Sequence, residues 1–108
     1  MRRFKSINDS KVFAFMYKNS PKWFCNGVII YYQKSDDKGF AVVSSKKIGC
    51  AVVRNRARRL IKSAFVGFCD DVSDGNYIFI AKKEIFEIPF YMLEKNLKWG
   101  LRKLGCLK

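Results

Sequence analysis

GFAVVSSKKIGCAVVRNRARRLIKSAFVGFCDDVSDGNYIFIAK, residues 39–82, decides the fold. It reads as strand, basic loop, long helix, acidic turn and strand. Residues 76–82 are a near-continuous apolar run, which marks a strand buried on both faces. Residues 39–45 form the strand before the helix. The helix is expected over residues 51–68, because Val53, Ala57, Leu60, Ile61, Ala64, Phe65 and Phe68 fall in one sector at about 100° per residue. A β-α-β unit follows, with strands 39–45 and 76–82 in the same sheet. The sector opposite the apolar stripe holds Asn55, Arg58, Arg59 and Lys62. Arg54 lies at the edge of the stripe and Arg56 on the far flank.

The flanking chain adds to this unit. Asn8, Asp9 and Ser10 are each able to cap a helix ending near Lys18, where Asn19-Ser20-Pro21 stops it. Val12, Phe15 and Met16 share one face of that helix. Phe13 and Tyr17, spaced i,i+4, share an adjoining one. Spacing alone favours burial of both faces; the other reading is an open groove lined by Phe13 and Tyr17. Residues 27–33 form a strand with Val28, Ile30 and Tyr32 on one side and Ile29, Tyr31 and Gln33 on the other. Trp23 suits an earlier short strand in the same meander. Residues 35–39 are turn chemistry, with 39–45 as the returning strand. Pro89 opens a last helix with a stripe of Leu93, Leu97, Leu101 and Leu104 and a basic outer face. Residues 1–7 are basic and expected to be loosely held.

Charge points to the partner. The 108 residues, expected to form one domain (1–108), hold 22 Lys plus Arg against 9 Asp plus Glu, a net charge of +13. Between Asp37 and Asp70 there are eight basic residues and no acid. A solvated helix face usually mixes signs at i,i+4, and this one does not. A polyanion is expected to lie on it. Aromatic residues make up 16% of the chain, which favours unpaired nucleic acid or RNA, whose bases stack on rings. No apolar run is long enough for a membrane span, and the first ten residues lack the apolar region of a secretory signal. The apolar side of the central helix is needed for the core, which argues against a membrane-surface role.

Catalysis by the chain's own side chains fits the sequence poorly. It has no histidine for acid–base work or for activating a nucleophile. Its acids sit in separate turns rather than in a metal-binding group. No pair among Cys25, Cys50, Cys69 and Cys106 has zinc spacing, and all four are expected to be small buried or semi-buried thiols. What remains is a binding surface of Arg and Lys for phosphates beside aromatics for bases.

SSKKIGCAVVRNRARRLIKSAF, residues 44–65, resembles the signature of the protein subunit of bacterial ribonuclease P, with Arg54-Asn55-Arg56 as its RNR core. Phe13 and Tyr17, Tyr31, the NYIFIAK strand and the leucine-striped last helix agree in order. The resemblance implies an α+β sandwich, α-β-β-β-α-β-α, with a four-stranded sheet and a left-handed β-α-β crossover, against the usual rule. It implies a protein that binds a catalytic RNA and the 5′ leader of precursor tRNA, and so supports endonucleolytic removal of the leader. Catalysis would reside in the RNA and its Mg²⁺. One protein per RNA and a cytoplasmic location are expected.

The same resemblance implies that Phe13, Tyr17 and Tyr31 contact the single-stranded leader, with Arg58 and Lys62 bordering the groove. It implies that Ser45, Lys46, Lys47, Arg54, Asn55, Arg56 and Arg59 face the catalytic RNA. Where the family has G-x-S before its V-S-K-K, this chain has Ala41-Val42-Val43. Two other readings remain: a plain RNA-binding module, which would show no leader dependence, and a DNA-binding helix, which lacks the usual second helix and short turn.

Overall fold

The computed structural model describes residues 4–107. In chain order the elements are β1 (Lys5–Ser6), α1 (Ser10–Asn19), β2 (Lys22–Cys25), β3 (Val28–Lys34), β4 (Lys38–Ser44), α2 (Ala51–Val66), β5 (Gly75–Ala81) and α3 (Phe90–Lys103). Short 3-10 turns at Lys46–Ile48 and Lys83–Phe86 precede α2 and α3. The sheet order is β1-β4-β5-β3-β2.

The β-α-β unit is present. Strands β4 and β5 pair in parallel, with Ala41 opposite Ile78 and Val43 opposite Ile80. One expectation about their neighbours fails. β4 returns after the turn at 35–37 but does not pair with β3, because β5 lies between them and pairs antiparallel with β3. The reason is burial. β5 is the most apolar strand, and only a central position covers Tyr77, Ile78 and Phe79 on both faces.

The sheet has five strands where four were expected. The fifth, β1, comes from the segment expected to be loose. Lys5 and Ser6 pair in parallel with Gly39 and Phe40, and the Ile7 N–H donates to the Phe40 carbonyl at 3.0 Å. Phe4 anchors the segment: its ring meets Phe65 and Tyr77 edge-on at 5.4 and 5.7 Å. Any Cβ at position 39 would collide with Ile7 and the Asn76 amide, so Gly39 permits this close approach. Residues 1–3 of the same stretch lie outside the described residues.

Two apolar layers sandwich the sheet. On one face, α2 and α3 cover Val28, Ile30, Tyr32, Phe40, Tyr77 and Phe79. Phe65 of α2 is the hub, stacked on Phe40 at 4.9 Å and close to Tyr77 and Phe79. Gly100 seats α3 against β2 and β3; a Cβ there would stand 2.7 Å from Ile30 Cδ1 and 2.9 Å from Cys25 Sγ. On the other face, α1 is the only helix among the described residues. Asp9 caps it, its carboxylate accepting from the Lys11 N–H at 2.9 Å. Its Met16 packs on Tyr31 and Ile78, and Ile29, Ala41, Val43 and Ile80 beside them are only half-buried. One ten-residue helix cannot cover a five-stranded sheet, so part of this face stays open.

Candidate nucleic-acid interface

The open face carries a run of rings. Phe13 and Tyr17 project from α1 with centroids 6.1 Å apart, and Tyr17 meets Tyr31 of β3 edge-on at 5.2 Å. Their exposures differ. Tyr17 is 40% exposed, Phe13 is half-buried and Tyr31 is 8% exposed. Tyr31 is therefore the floor of this surface, and Tyr17 and Phe13 are its wall. Burial, and then the neighbouring Tyr31 hydroxyl, raise the Tyr17 pKa, so the phenol stays neutral and able to donate.

Phe13 also lines a cleft of about 200 Å³ with Ala41 and Val42 of β4 and with Arg58 and Lys62 of α2. The cleft forms because β1 pairs only with the first part of β4, leaving residues 41–42 at an uncovered edge. Ser6, Ile7 and Asn8 close its far side. Spacing and charge did not identify these three as lining residues. Their signal was Phe4, an aromatic residue inside a basic stretch, which shows the segment is anchored.

The remaining cations of the signature lie elsewhere. Ser45, Lys46 and Lys47 are exposed on the turn before α2. Arg59 is exposed, and the Arg56 guanidinium sits 5.7 Å over the Phe86 ring, on the flank towards the second 3-10 turn. Arg54 is half-buried, its Nε enclosed without a hydrogen-bond partner. Its carbonyl accepts from the Ser44 hydroxyl at 3.3 Å, which ties the start of α2 to the end of β4. Asn55 accepts through Oδ1 from the Arg58 guanidinium. This i,i+3 bond links Asn55 to Arg58, which lines the cleft. Among the described residues no α2 arginine is in an ion pair.

The cysteines divide. Cys25, Cys69 and Cys106 are half-buried or buried, and burial pushes Cys25 up to about 11 and Cys106 up to about 12. Cys50 departs from the expectation. It is exposed at the N-cap of α2, and the N–H groups of Val53 and then Val52 lower its pKa below the ordinary thiol value. A cap position leaves the side chain outside the helix, which the surrounding apolar sequence concealed. Among the described residues no three His, Cys, Asp or Glu side chains converge as a metal site. No helix of these residues is long and apolar enough to cross a membrane.

A family model described as Ribonuclease P matches residues 1–105. The chain belongs to the ribonuclease P family. The ribonuclease P protein component of a Nitratiruptor species is 28% identical over 104 residues, 96% of this chain and 95% of that one. That of a Geobacillus species is 30% identical over 112 residues, covering 100% and 97%. The RNase P protein of Staphylococcus aureus superposes with a TM-score of 0.83 at 21% identity, over 95% of this chain and 97% of that one. The Thermotoga maritima RNase P protein gives 0.79 at 19% identity, over 92% and 96%. These structures share the α+β fold. Membership in the ribonuclease P family makes the chain a protein component of an endoribonuclease that acts as a ribonucleoprotein in tRNA processing, with an RNA partner.

Proposed function

We propose that the two basic regions have separate tasks. Phe13, Tyr17 and Tyr31 take the unpaired 5′ leader of precursor tRNA, and Arg58 and Lys62 neutralise its phosphates. Ser45, Lys46, Lys47, Arg54, Asn55, Arg56 and Arg59 form the surface on the catalytic RNA. The observation that carries this reading is the cleft shared by Phe13 and Arg58 with Lys62, three residues from two helices on opposite layers of the sheet. A ring beside two cations is what an unpaired strand needs, a stacking surface next to charge. Asn55 then serves both regions, since it lies in the signature and is linked to Arg58. The chain acts as one domain, one copy per RNA, in the cytoplasm, with a left-handed β4-α2-β5 crossover. Mg²⁺ and the bond-breaking step belong to the RNA.

Reconstitution tests this. The protein added to the catalytic RNA at low Mg²⁺ should raise cleavage of leader-containing precursor tRNA. Phe13→Ala and Arg58→Ala should each weaken binding of that substrate more than binding of mature-length tRNA. Equal losses for both substrates would sink the groove assignment.

A further inference from the structure

Beyond Tyr31 the ring surface continues to the open edge of the sheet. We propose that Lys22 and Phe24 of β2 form an additional subsite there for one unpaired nucleotide, Phe24 stacking the base and Lys22 meeting its phosphate. This rests on the groove reading above and extends it by residues that no signature motif contains.

Strand alternation gives the first argument. Trp23 and Cys25 turn towards α3: both lie within about 3 Å of where a Gly100 side chain would begin, and Cys25 Sγ donates to the Asn96 carbonyl at 3.3 Å. Lys22 and Phe24 therefore turn to the other face, the one α1 leaves partly open. Phe24 belongs to neither apolar cluster and is 65% exposed. A ring this exposed contributes little to the core, and on an edge strand it is a liability for aggregation.

Register gives the second. Lys22 is opposite Tyr31, and Phe24 is opposite Ile29. Ile29 is in turn opposite Ile80, and Ile80 opposite Val43. Phe24, Ile29, Ile80 and Val43 thus make one row across four strands. The last three are half-buried, and the row runs beside that of Tyr31, Ile78 and Ala41, on which α1 sits. The row is an apolar floor that ends in an exposed ring.

Charge gives the third. The Lys22 ammonium lies 5.4 Å from the Phe24 ring and 5.7 Å from the Tyr31 ring, so one cation bridges the groove floor and the edge ring. A cation flanked by two rings suits a phosphate between two bases, and the chain's charge of +13 favours a polyanion over a protein edge strand as occupant.

The test uses the full chain assembled with its catalytic RNA and a set of precursor tRNAs whose leaders lengthen one nucleotide at a time. For the wild type, affinity should rise in steps, and the last step should depend on Phe24. Phe24→Ala should lower the ratio of affinities for the longest and shortest leaders about five- to tenfold, near the low end for one stacked base because the ring is partly exposed. Phe24→Trp should keep the ratio, and Phe24→Leu, apolar but without a stacking face, should lose it. Lys22→Gln should lower the ratio less and flatten its salt dependence. An unchanged ratio in Phe24→Ala overturns the subsite. If Phe13→Ala still lowers the ratio, the groove reading survives that result; if the wild type has no leader dependence, both fail. Loss of a dimer in Phe24→Ala with the ratio intact would assign the edge to a second copy instead.

Discussion

Replacing Lys46, Lys47, Arg56 and Arg59 together by glutamine should flatten the salt dependence of binding to the catalytic RNA. The structure sorts seven basic residues between 46 and 62 into three groups. Arg58 and Lys62 line the cleft with Phe13, and Arg54 is half-buried at the junction with β4. The other four are exposed, and among the described residues neither arginine of the four is in an ion pair. Each phosphate neutralised contributes about 0.7–0.9 to the slope of log affinity against log salt, so losing four contacts should lower its magnitude by about three. Arg58→Gln with Lys62→Gln should change that slope by less than about one, because those side chains face the leader groove. Fluorescence anisotropy of labelled catalytic RNA, titrated with each variant across a KCl series at constant Mg²⁺, reads both slopes. The fourfold variant removes like charges from one surface, so its thermal midpoint should not fall, and unfolding is then not the cause. An unchanged slope in the fourfold variant, or an equal flattening by the cleft pair, would refute the division of charges.

Phe65→Ala should destabilise the fold by about 3–5 kcal/mol, because Phe65 is fully buried against Phe4, Phe40, Tyr77 and Phe79; urea unfolding measures it, and a loss under about 1 kcal/mol would contradict the hub role. Cys50 should be the first thiol alkylated by iodoacetamide at neutral pH, as the exposed cysteine with a lowered pKa, and peptide mapping that finds Cys106 first would contradict its cap position. Cys25 and Cys106 ionise at higher pH folded than unfolded, so their contribution is complete below the ordinary thiol pKa of 9.0 and is lost as pH rises towards about 11 and about 12. Stability measured by urea unfolding should therefore fall above pH 9.0, and Cys106→Ala should make that fall shallower; an unchanged alkaline limb would count against its burial.

Most of the elements, though not β1, and the binding chemistry are legible in the sequence. Periodicity is local, so the apolar stripe of α2, the strand at 75–81 and the leucine stripe of α3 could be read from spacing. The absence of acid between Asp37 and Asp70 named a polyanion, and the RNR signature named the family. Pairing is not local, and it follows from contacts between distant segments. β5 enters between β3 and β4 because the most apolar strand needs cover on both faces, a competition that no single strand's pattern encodes. The same holds for residues 4–7. Their basic character suggested a loose arm, while Phe4 finds a socket built by Phe65 and Tyr77 from distant parts of the chain. The site divides in the same way. The i,i+4 spacing of Phe13 and Tyr17 favoured a buried face, but Tyr17 is exposed and Phe13 half-buried, because the outcome depends on how much of the sheet α1 covers. Arg58 and Lys62 share a helix with Arg56, yet meet Phe13 only because β1 stops short on the β4 edge and leaves a cleft between the two layers.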